Sequence, residues 1–280
     1  MKELDLQDKY IINFLCERQD GLQYKEAKAN TVSPQFFLVE DLKQFLSETT
    51  LNKDNYKKLL RKFGNEKDLL DAVTNEMYDR LKSSANMALF INTNKTITIN
   101  GISLYLFYPS GSETHDDKLF DQNIFSVIQE LPYIYKHQGK QIFSFRPDLT
   151  FFLNGIYLGY SELKSSYTNQ NARSNGRKKV AKDYLSAVQE YLIIAEDNDL
   201  SQTIRKDYLK IFEKAIHITS TDLNETYVIR NISNQFEEIK SIVASNTYDF
   251  TLYENKLEKD FKQYPIRNRE ANKTKRFEEV

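Results

Sequence analysis

Apolar residues recur every three or four positions through most of the first 84 residues, which is the spacing of helices that bury one face. A first helix is predicted over residues 5–17, where Leu6, Tyr10 and Phe14 fall on the same face. A helical insertion is predicted near residues 36–84. Its three helices cover residues 37–46, 55–63 and 67–81.

From Met87 onward the apolar period changes to two, which is typical of strands with one buried face. The strands predicted on this basis cover residues 88–92, 96–99, 102–108 and 124–129. Polar residues predict a loop at 110–118 and a turn at 136–140. A helix over 180–195 and two strands joined by a turn at 222–224 are expected further on. Both periods in one chain predict an α/β domain.

Two apolar runs flank Asn154-Gly155, a dipeptide that favours a hairpin turn because both residues tolerate positive φ. The first run follows Asp148, and the second leads to Glu162 and Lys164, which share a face because side chains alternate along a strand. A two-residue loop would pair Asp148 with Ser161 and put the two acids on opposite faces. A three-residue loop or a bulge would pair Asp148 with Glu162 instead. If the acids act together, the sequence predicts one of these two irregularities.

Two carboxylates that converge on one point repel each other unless a cation lies between them, and oxygen ligands of this kind suit Mg2+ or Mn2+. A neighbouring lysine can stabilise developing negative charge or orient a water. Asp148, Glu162 and Lys164 therefore fit metal-assisted hydrolysis of a phosphodiester. The alternative is an ordinary ion pair on an exposed hairpin, because Glu-x-Lys alone is weak evidence in a chain with 28% charged residues.

Residues 146–164 resemble the nuclease motif of the R (restriction) subunit of type I restriction-modification enzymes, whose N-terminal domain is a PD-(D/E)xK nuclease. Residues 123–129 also resemble the strand just upstream of that motif in the family. The resemblance implies a restriction-endonuclease-like core, in which helices flank a mixed central β-sheet. Residues 1–235 are then expected to form the nuclease domain, with the insertion at 36–84 inside it.

The resemblance also implies roles by matching position. Asp148, Glu162 and the backbone carbonyl of Leu163 would bind the metal, and Lys164 would be the catalytic lysine. The implied metal is Mg2+, for which Mn2+ can substitute. Asp8 is the closest match to an N-terminal acid that joins the metal site in the family, where Glu is expected.

Residues 164–182 contain six basic residues and no acidic one. A basic loop that leaves the end of the active strand is suited to contact DNA phosphates, and a solvated surface loop is the alternative. The candidate DNA-binding residues are Arg173, Arg177, Lys178, Lys179 and Lys182. The next helix carries a Gln-Tyr or Gln-x-x-x-Tyr motif in the resembling family. Gln189 and Tyr191 match neither spacing and are candidates for supporting residues.

Composition limits the classes of protein that fit. The 280 residues carry a formal net charge of −1, so a nucleic-acid surface must be a local patch. The single cysteine, Cys16, excludes an internal disulfide framework and fits a reducing cytoplasm. The sequence has no signal peptide and no apolar run of membrane-spanning length, so a cytosolic protein without membrane contact is expected.

The function expected from these observations is Mg2+-dependent endonucleolytic cleavage of double-stranded DNA, with methylation and specificity subunits as partners. R subunits continue into an ATP-driven DNA translocase. These residues contain no Gly-x4-Gly-Lys-Ser/Thr loop, so ATP binding is not expected. Residues 236–280 are expected to be a charged helical segment. It is either the start of a linker to such a motor or the end of a standalone nuclease-like protein.

Two other functions stay open at this point. One is a non-catalytic DNA-binding or subunit-docking module that keeps the nuclease fold, and the other is a repair or RNA-processing nuclease.

Overall fold

The structure is a computed structural model, and it describes residues 11–17, 22–33, 35–84, 87–110, 114–137, 140–165, 169–196, 210–222, 224–229 and 261–265. The α-helices in these residues are α1 (Asn13–Cys16), α2 (Val39–Glu48), α3 (Lys53–Phe63), α4 (Glu66–Ser83), α5 (Met87–Thr93), α6 (Thr114–Phe120), α7 (Arg177–Glu196) and α8 (Lys210–Glu213). The strands are β1 (Lys25–Glu26), β2 (Thr96–Ile99), β3 (Ile102–Tyr105), β4 (Phe125–Gln129), β5 (Tyr133–His137), β6 (Lys140–Phe145), β7 (Leu149–Leu153), β8 (Ile156–Leu163), β9 (His217–Thr221), β10 (Glu225–Ile229) and β11 (Phe261–Pro265).

A seven-stranded sheet forms the centre of the molecule, in the order β1-β4-β7-β8-β9-β10-β11. The pairs β1–β4 and β8–β9 are parallel, and the other neighbours are antiparallel. The sheet is therefore mixed, as expected. The chain passes through α7 between β8 and β9, so the ends of these two parallel strands lie side by side.

Helices flank the central sheet on both faces, which confirms the predicted fold class. On one face, buried Tyr160 of β8 belongs to the same apolar cluster as Tyr184 of α7. On the other face, Leu149 and Leu163 pack in a second cluster with Leu15 of α1. β7 and β8 therefore contribute apolar side chains to both clusters, as strands covered on both faces require.

The predicted helical insertion is present as α2, α3 and α4. Gly64, with φ +79°, ends α3 in the left-handed conformation that glycine adopts easily. The side chain of Asn65 then caps α4 by accepting a hydrogen bond from the Asp68 N–H at 2.8 Å. These helices share one apolar core with α5 and the β2–β3 hairpin. Phe37 joins this helical cluster to the central sheet through a bridge to Ile156 at the start of β8.

Two segments differ from the elements that their patterns predicted. Residues 88–92 were expected to form a strand, but they lie in α5, whose Met87 and Phe90 are buried in the helical cluster. Residues three positions apart lie on the same face of a helix, and packing of this face in the cluster favours a helix over a strand. Residues 110–118 were expected to be a loop, but α6 begins within them at Thr114.

The C-terminal segment 236–280 was expected to be helical. The structure describes only residues 261–265 of it, and these form β11, which pairs with β10 in the central sheet. The boundary expected at residue 235 stays a prediction, and the rest of the segment lies outside the described residues. Within the described ranges, no helix combines the length and apolar character needed to cross a membrane.

Candidate active site

The β7–β8 hairpin closes with a two-residue turn at Asn154-Gly155, between the paired residues Leu153 and Ile156. Both turn residues have positive φ, at 50° and 81°. The Asn154 side chain is fully buried and fixed by the backbone, since its Oδ1 accepts from the Ile124 N–H at 2.7 Å. The three-residue loop is thus not the irregularity in this hairpin.

A β-bulge provides the shift in pairing instead, and this confirms the alternative prediction. Phe152 pairs with Tyr157, but Phe151 pairs with Gly159, so β8 contains one extra residue, Leu158. Beyond the bulge Leu149 pairs with Ser161. The next position along each strand brings Asp148 opposite Glu162, on one face of the sheet.

Asp148 lies just before β7 and is held by the backbone of β8. Its Oδ2 accepts a hydrogen bond from the Leu163 N–H at 2.6 Å. Burial raises the pKa of Asp148 to about 7, and the neighbouring Glu162 carboxylate adds to the increase. The Leu163 N–H and the ammonium groups of Lys179 and Lys164 oppose this increase. A carboxyl with this pKa carries its charge near neutral pH only in part, which makes it responsive to an added cation.

Glu162 is buried, with 1% of its side chain exposed, and it is paired with Lys164. Lys164 Nζ lies 2.5 Å from Glu162 Oε1 and donates to the Leu163 carbonyl at 2.7 Å. The backbone N–H of Lys164 donates to the Thr221 carbonyl of β9 at 2.8 Å. The parallel partner strand therefore fixes the backbone from which this lysine projects, and the ammonium group is held beside the carboxylate.

Two residues that sequence reasoning did not place at the centre of the site come from α7. Lys179 Nζ lies 2.6 Å from Oε1 and 2.7 Å from Oε2 of Glu162, so it contacts both carboxylate oxygens. Asp183 follows four residues later, which places it on the same helix face. Its Oδ2 is buried without a hydrogen-bond partner. Burial raises the pKa of Asp183 to about 6, opposed by Lys179 and reinforced by Glu162.

The sequence contains a signal for Lys179 and Asp183, because residues four positions apart lie on the same face of a helix. Lys179 had been assigned to the DNA-binding stretch, and Asp183 is the first acidic residue after Glu162. The helix had been predicted to begin at residue 180, but α7 begins at Arg177 and includes Lys179 in its first turn. With that helix start, Lys179 and Asp183 project from one face toward the end of β8.

A close contact between chain segments positions α7. Residues Ala172–Gly176 form a single π-helical turn, in which the Ala172 N–H donates to Asp222 Oδ2 at 2.8 Å. A Cβ added at Gly176 would lie 1.8 Å from Ser220 Oγ and 3.1 Å from Lys164 Cγ. Only glycine fits at this position without displacing its neighbours, so the start of α7 can approach β9 and Lys164.

The other candidates lie around this centre. Arg173 is exposed on the π-helical turn, while Lys178 and Lys182 are exposed on α7 and Arg177 is half-buried. The predicted loop at 164–182 is thus largely helical from Ala172 onward. Gln189 is ten residues beyond Lys179 on α7, about 15 Å further along the helix axis. Tyr191 also lies in α7, and Asp8 lies outside the described residues.

The donor set suits a hard divalent cation. Asp148 and Glu162 supply carboxylate oxygens from one face of the sheet. The Leu163 carbonyl, the expected backbone ligand, accepts from Lys164. Among the described residues no group of three or more His, Cys, Asp or Glu side chains is close enough together to hold a metal ion. Asp148 and Glu162 are therefore the two ligands that the described residues best support.

An open pocket lies beside these residues, between α7 and the β5–β6 hairpin. Lys179 and Asp183 line it on one side, and exposed Ile134 and Arg146 line it on the other. A substrate could approach the carboxylates from this pocket.

Comparison with known proteins identifies one family. A family model described as "Type I restriction enzyme R protein N terminus" matches residues 1–260. Neither the curated proteins nor the solved structures contain a significant match to this chain.

Proposed function

The chain belongs to the family of type I restriction enzyme R protein N termini, and from this membership and the site geometry we propose that it is a Mg2+-dependent endonuclease for double-stranded DNA. The proposal follows from one observation above all: the bulge at Leu158 brings Asp148 and Glu162 into register, with Lys164 Nζ 2.5 Å from Glu162 Oε1. In this proposal the chain is the nuclease part of an R subunit, which acts with methylation and specificity subunits.

Asp148 and Glu162 would hold the metal. A bound divalent cation polarises the scissile phosphate and lowers the pKa of an attacking water. Lys164 keeps its ammonium group beside the site through contacts with Glu162 Oε1 and the Leu163 carbonyl. From that position it can stabilise the negative charge that develops on the phosphate, and the small exposure of the Lys164 and Glu162 side chains strengthens this effect.

The chemistry can be tested with Asp148→Asn and Lys164→Ala in the full chain, assayed on plasmid DNA with Mg2+ or Mn2+. Each substitution is expected to lower the cleavage rate by about 100-fold or more, because it removes a metal ligand or a charge-stabilising group. Asp79→Asn and Lys82→Ala are matched controls, since these two residues form an ion pair on the surface of α4 in the helical insertion. Circular dichroism checks that each variant is folded. Full cleavage by either site variant would disprove the assignment.

A non-catalytic DNA-binding or subunit-docking module is the second candidate. The observation that favours it is that Lys164 and Lys179 both contact the Glu162 carboxylate, so protein side chains can compensate its charge. Titration of the wild-type chain with Mn2+ separates the two candidates. Binding that Glu162→Gln abolishes supports the nuclease, and the absence of binding supports the module.

A further inference from the structure

Lys179 covers the edge of the Glu162 carboxylate that a metal would need. Its Nζ contacts both oxygens, at 2.6 and 2.7 Å, while Lys164 Nζ lies 2.5 Å from Oε1. The lysines differ in exposure, because 39% of the Lys179 side chain is exposed against 8% for Lys164. Lys179 is therefore the lysine with room to leave the carboxylate, and Lys164 is the fixed one.

The charges at the site also favour the departure of one lysine when a cation binds. When all groups are ionised, the carboxylates of Asp148, Glu162 and Asp183 exceed the ammonium groups of Lys164 and Lys179 by one negative charge. A divalent cation added beside both lysines would place three cationic groups around Glu162. Like charges at such distances repel strongly in a buried site. Metal binding is easier if one ammonium group moves away as the cation arrives.

Asp183 is a suitable place for the displaced ammonium group. It lies four residues after Lys179 on α7, and side chains at this spacing are neighbours on a helix surface. Its Oδ2 is buried without a hydrogen-bond partner, which costs free energy unless the oxygen gains a donor. A lysine released from Glu162 could supply that donor by a change of rotamer, with no movement of the backbone.

We propose that Lys179 is a resident counter-ion of Glu162, which a divalent cation displaces onto Asp183. This inference rests on the proposed metal-dependent function and deepens it. Lys179 is a positioning residue in this account, because it acts on the metal through Glu162. It weakens metal binding while it pairs with Glu162, so the metal-free site keeps its buried carboxylate compensated.

The test is a titration of the full chain with Mn2+ in the absence of DNA, followed by electron paramagnetic resonance. Lys179→Met is expected to bind Mn2+ about tenfold or more tightly than wild type, because the competing cation is gone. Lys179→Gln is a second variant for the case in which methionine perturbs the fold. Lys57→Met is the control, since it removes an exposed lysine from α3 in the helical insertion, and its affinity should stay within about twofold of wild type.

The role of Asp183 is tested by adding Asp183→Asn to both backgrounds. In wild type it should weaken Mn2+ binding several-fold, because the displaced ammonium group loses its acceptor. In the Lys179→Met background the effect should be clearly smaller, since no ammonium group is displaced and only the attraction between the Asp183 charge and the cation is lost. Equal weakening in both backgrounds would show that Asp183 is itself a ligand and would overturn the acceptor role.

The failures of the two proposals are distinguishable. If wild type binds Mn2+ and Lys179→Met and Lys179→Gln bind it no more tightly, the counter-ion role is wrong and the nuclease proposal stands. If neither wild type nor the Lys179 variants bind Mn2+, the metal-dependent function is wrong, and the counter-ion role is wrong with it.

Discussion

Asp148 and Glu162 face each other across β7 and β8, but the protein compensates them differently. Glu162 receives two ammonium groups, from Lys164 and Lys179. Asp148 accepts a hydrogen bond from the Leu163 N–H, and its pKa is raised to about 7 by burial and by the charge of Glu162. Two ammonium groups thus lie beside Glu162, whereas buried Asp148 has a raised pKa and keeps its proton to higher pH. This makes Asp148 the residue at which pH and metal should compete.

The raised pKa of Asp148 predicts how the stability of the metal-free protein depends on pH. The unfolded chain releases this proton near the ordinary pKa of 3.8, whereas the folded protein keeps it until about 7. Between these values the folded state binds more protons, so the free energy of unfolding should fall as pH rises through this window. Asp148→Asn removes this loss and should stabilise the metal-free protein by about 1 to 2 kcal/mol near pH 8, with little effect near pH 4.

Urea denaturation in the presence of a chelator measures this effect at several pH values. Asp79→Asn is the control, because 72% of that acidic side chain is exposed and its removal should leave the pH dependence unchanged. If the free energy of unfolding depends on pH in the same way for wild type and Asp148→Asn, the predicted contribution of Asp148 is contradicted.

At the scale of the elements, the sequence predicted the hairpin and the need for an irregular pairing, because both follow from strand alternation and from the turn preference of Asn154-Gly155. It could not choose between a three-residue loop and a bulge at Leu158. That choice depends on contacts distant in sequence, such as the Ile216 N–H, which donates to the Leu158 carbonyl at 2.7 Å. The carbonyl of the extra residue is thereby satisfied by the segment that leads into β9.

The start of α7 was predicted three residues late. Lys179 was therefore placed in a loop and not on the helix face that contacts Glu162. The early start depends on the π-helical turn and on the Asp222 side chain that accepts from Ala172, fifty positions earlier in the chain. Neither feature has a local sequence pattern. The part of the site on β8 was thus predictable from one hairpin, and the part on α7 required the packing of α7 against β9.

Gly176 tests whether that packing positions the site. A methyl group in Gly176→Ala would meet Ser220 Oγ at 1.8 Å and Lys164 Cγ at 3.1 Å, so the start of α7 or Lys164 must move. The substitution should destabilise the fold by about 1 to 3 kcal/mol, which is the usual effect of overpacking. Cleavage should fall about tenfold or more, since small displacements of catalytic groups are costly.

Ser220→Gly in the same chain provides the matched test, because it removes the side chain at the closest contact. The double variant should recover part of the stability and cleavage lost in Gly176→Ala. Thermal denaturation and the plasmid assay measure the two effects separately. If Gly176→Ala has wild-type stability and cleavage, the close approach of α7 is not required.

At the scale of the whole molecule, the two ends of the β7–β8 hairpin have different partners. The turn end is held by the insertion, since the Leu38 N–H donates to the Gly155 carbonyl at 2.9 Å. A Cβ at Gly155 would lie 2.4 Å from the Leu38 carbonyl. The opposite end carries Asp148 and Glu162 and faces α7. The helical insertion therefore anchors the hairpin at the end opposite to Asp148 and Glu162.

The charge distribution gives the last prediction. The net charge of −1 cannot attract DNA over the whole surface, so binding should depend on the basic residues near α7. Arg173, Lys178 and Lys182 are exposed there, and each alanine substitution should reduce the slope of log affinity against log salt by about 1, because one phosphate contact is lost. Lys57 is exposed on α3, and Lys57→Ala should leave the slope unchanged.

Fluorescence anisotropy with a short DNA duplex in the presence of a chelator measures affinity without cleavage. Equal slopes for all four variants and wild type would place the DNA elsewhere, whereas a reduced slope confined to the three residues near α7 would place the DNA along this helix.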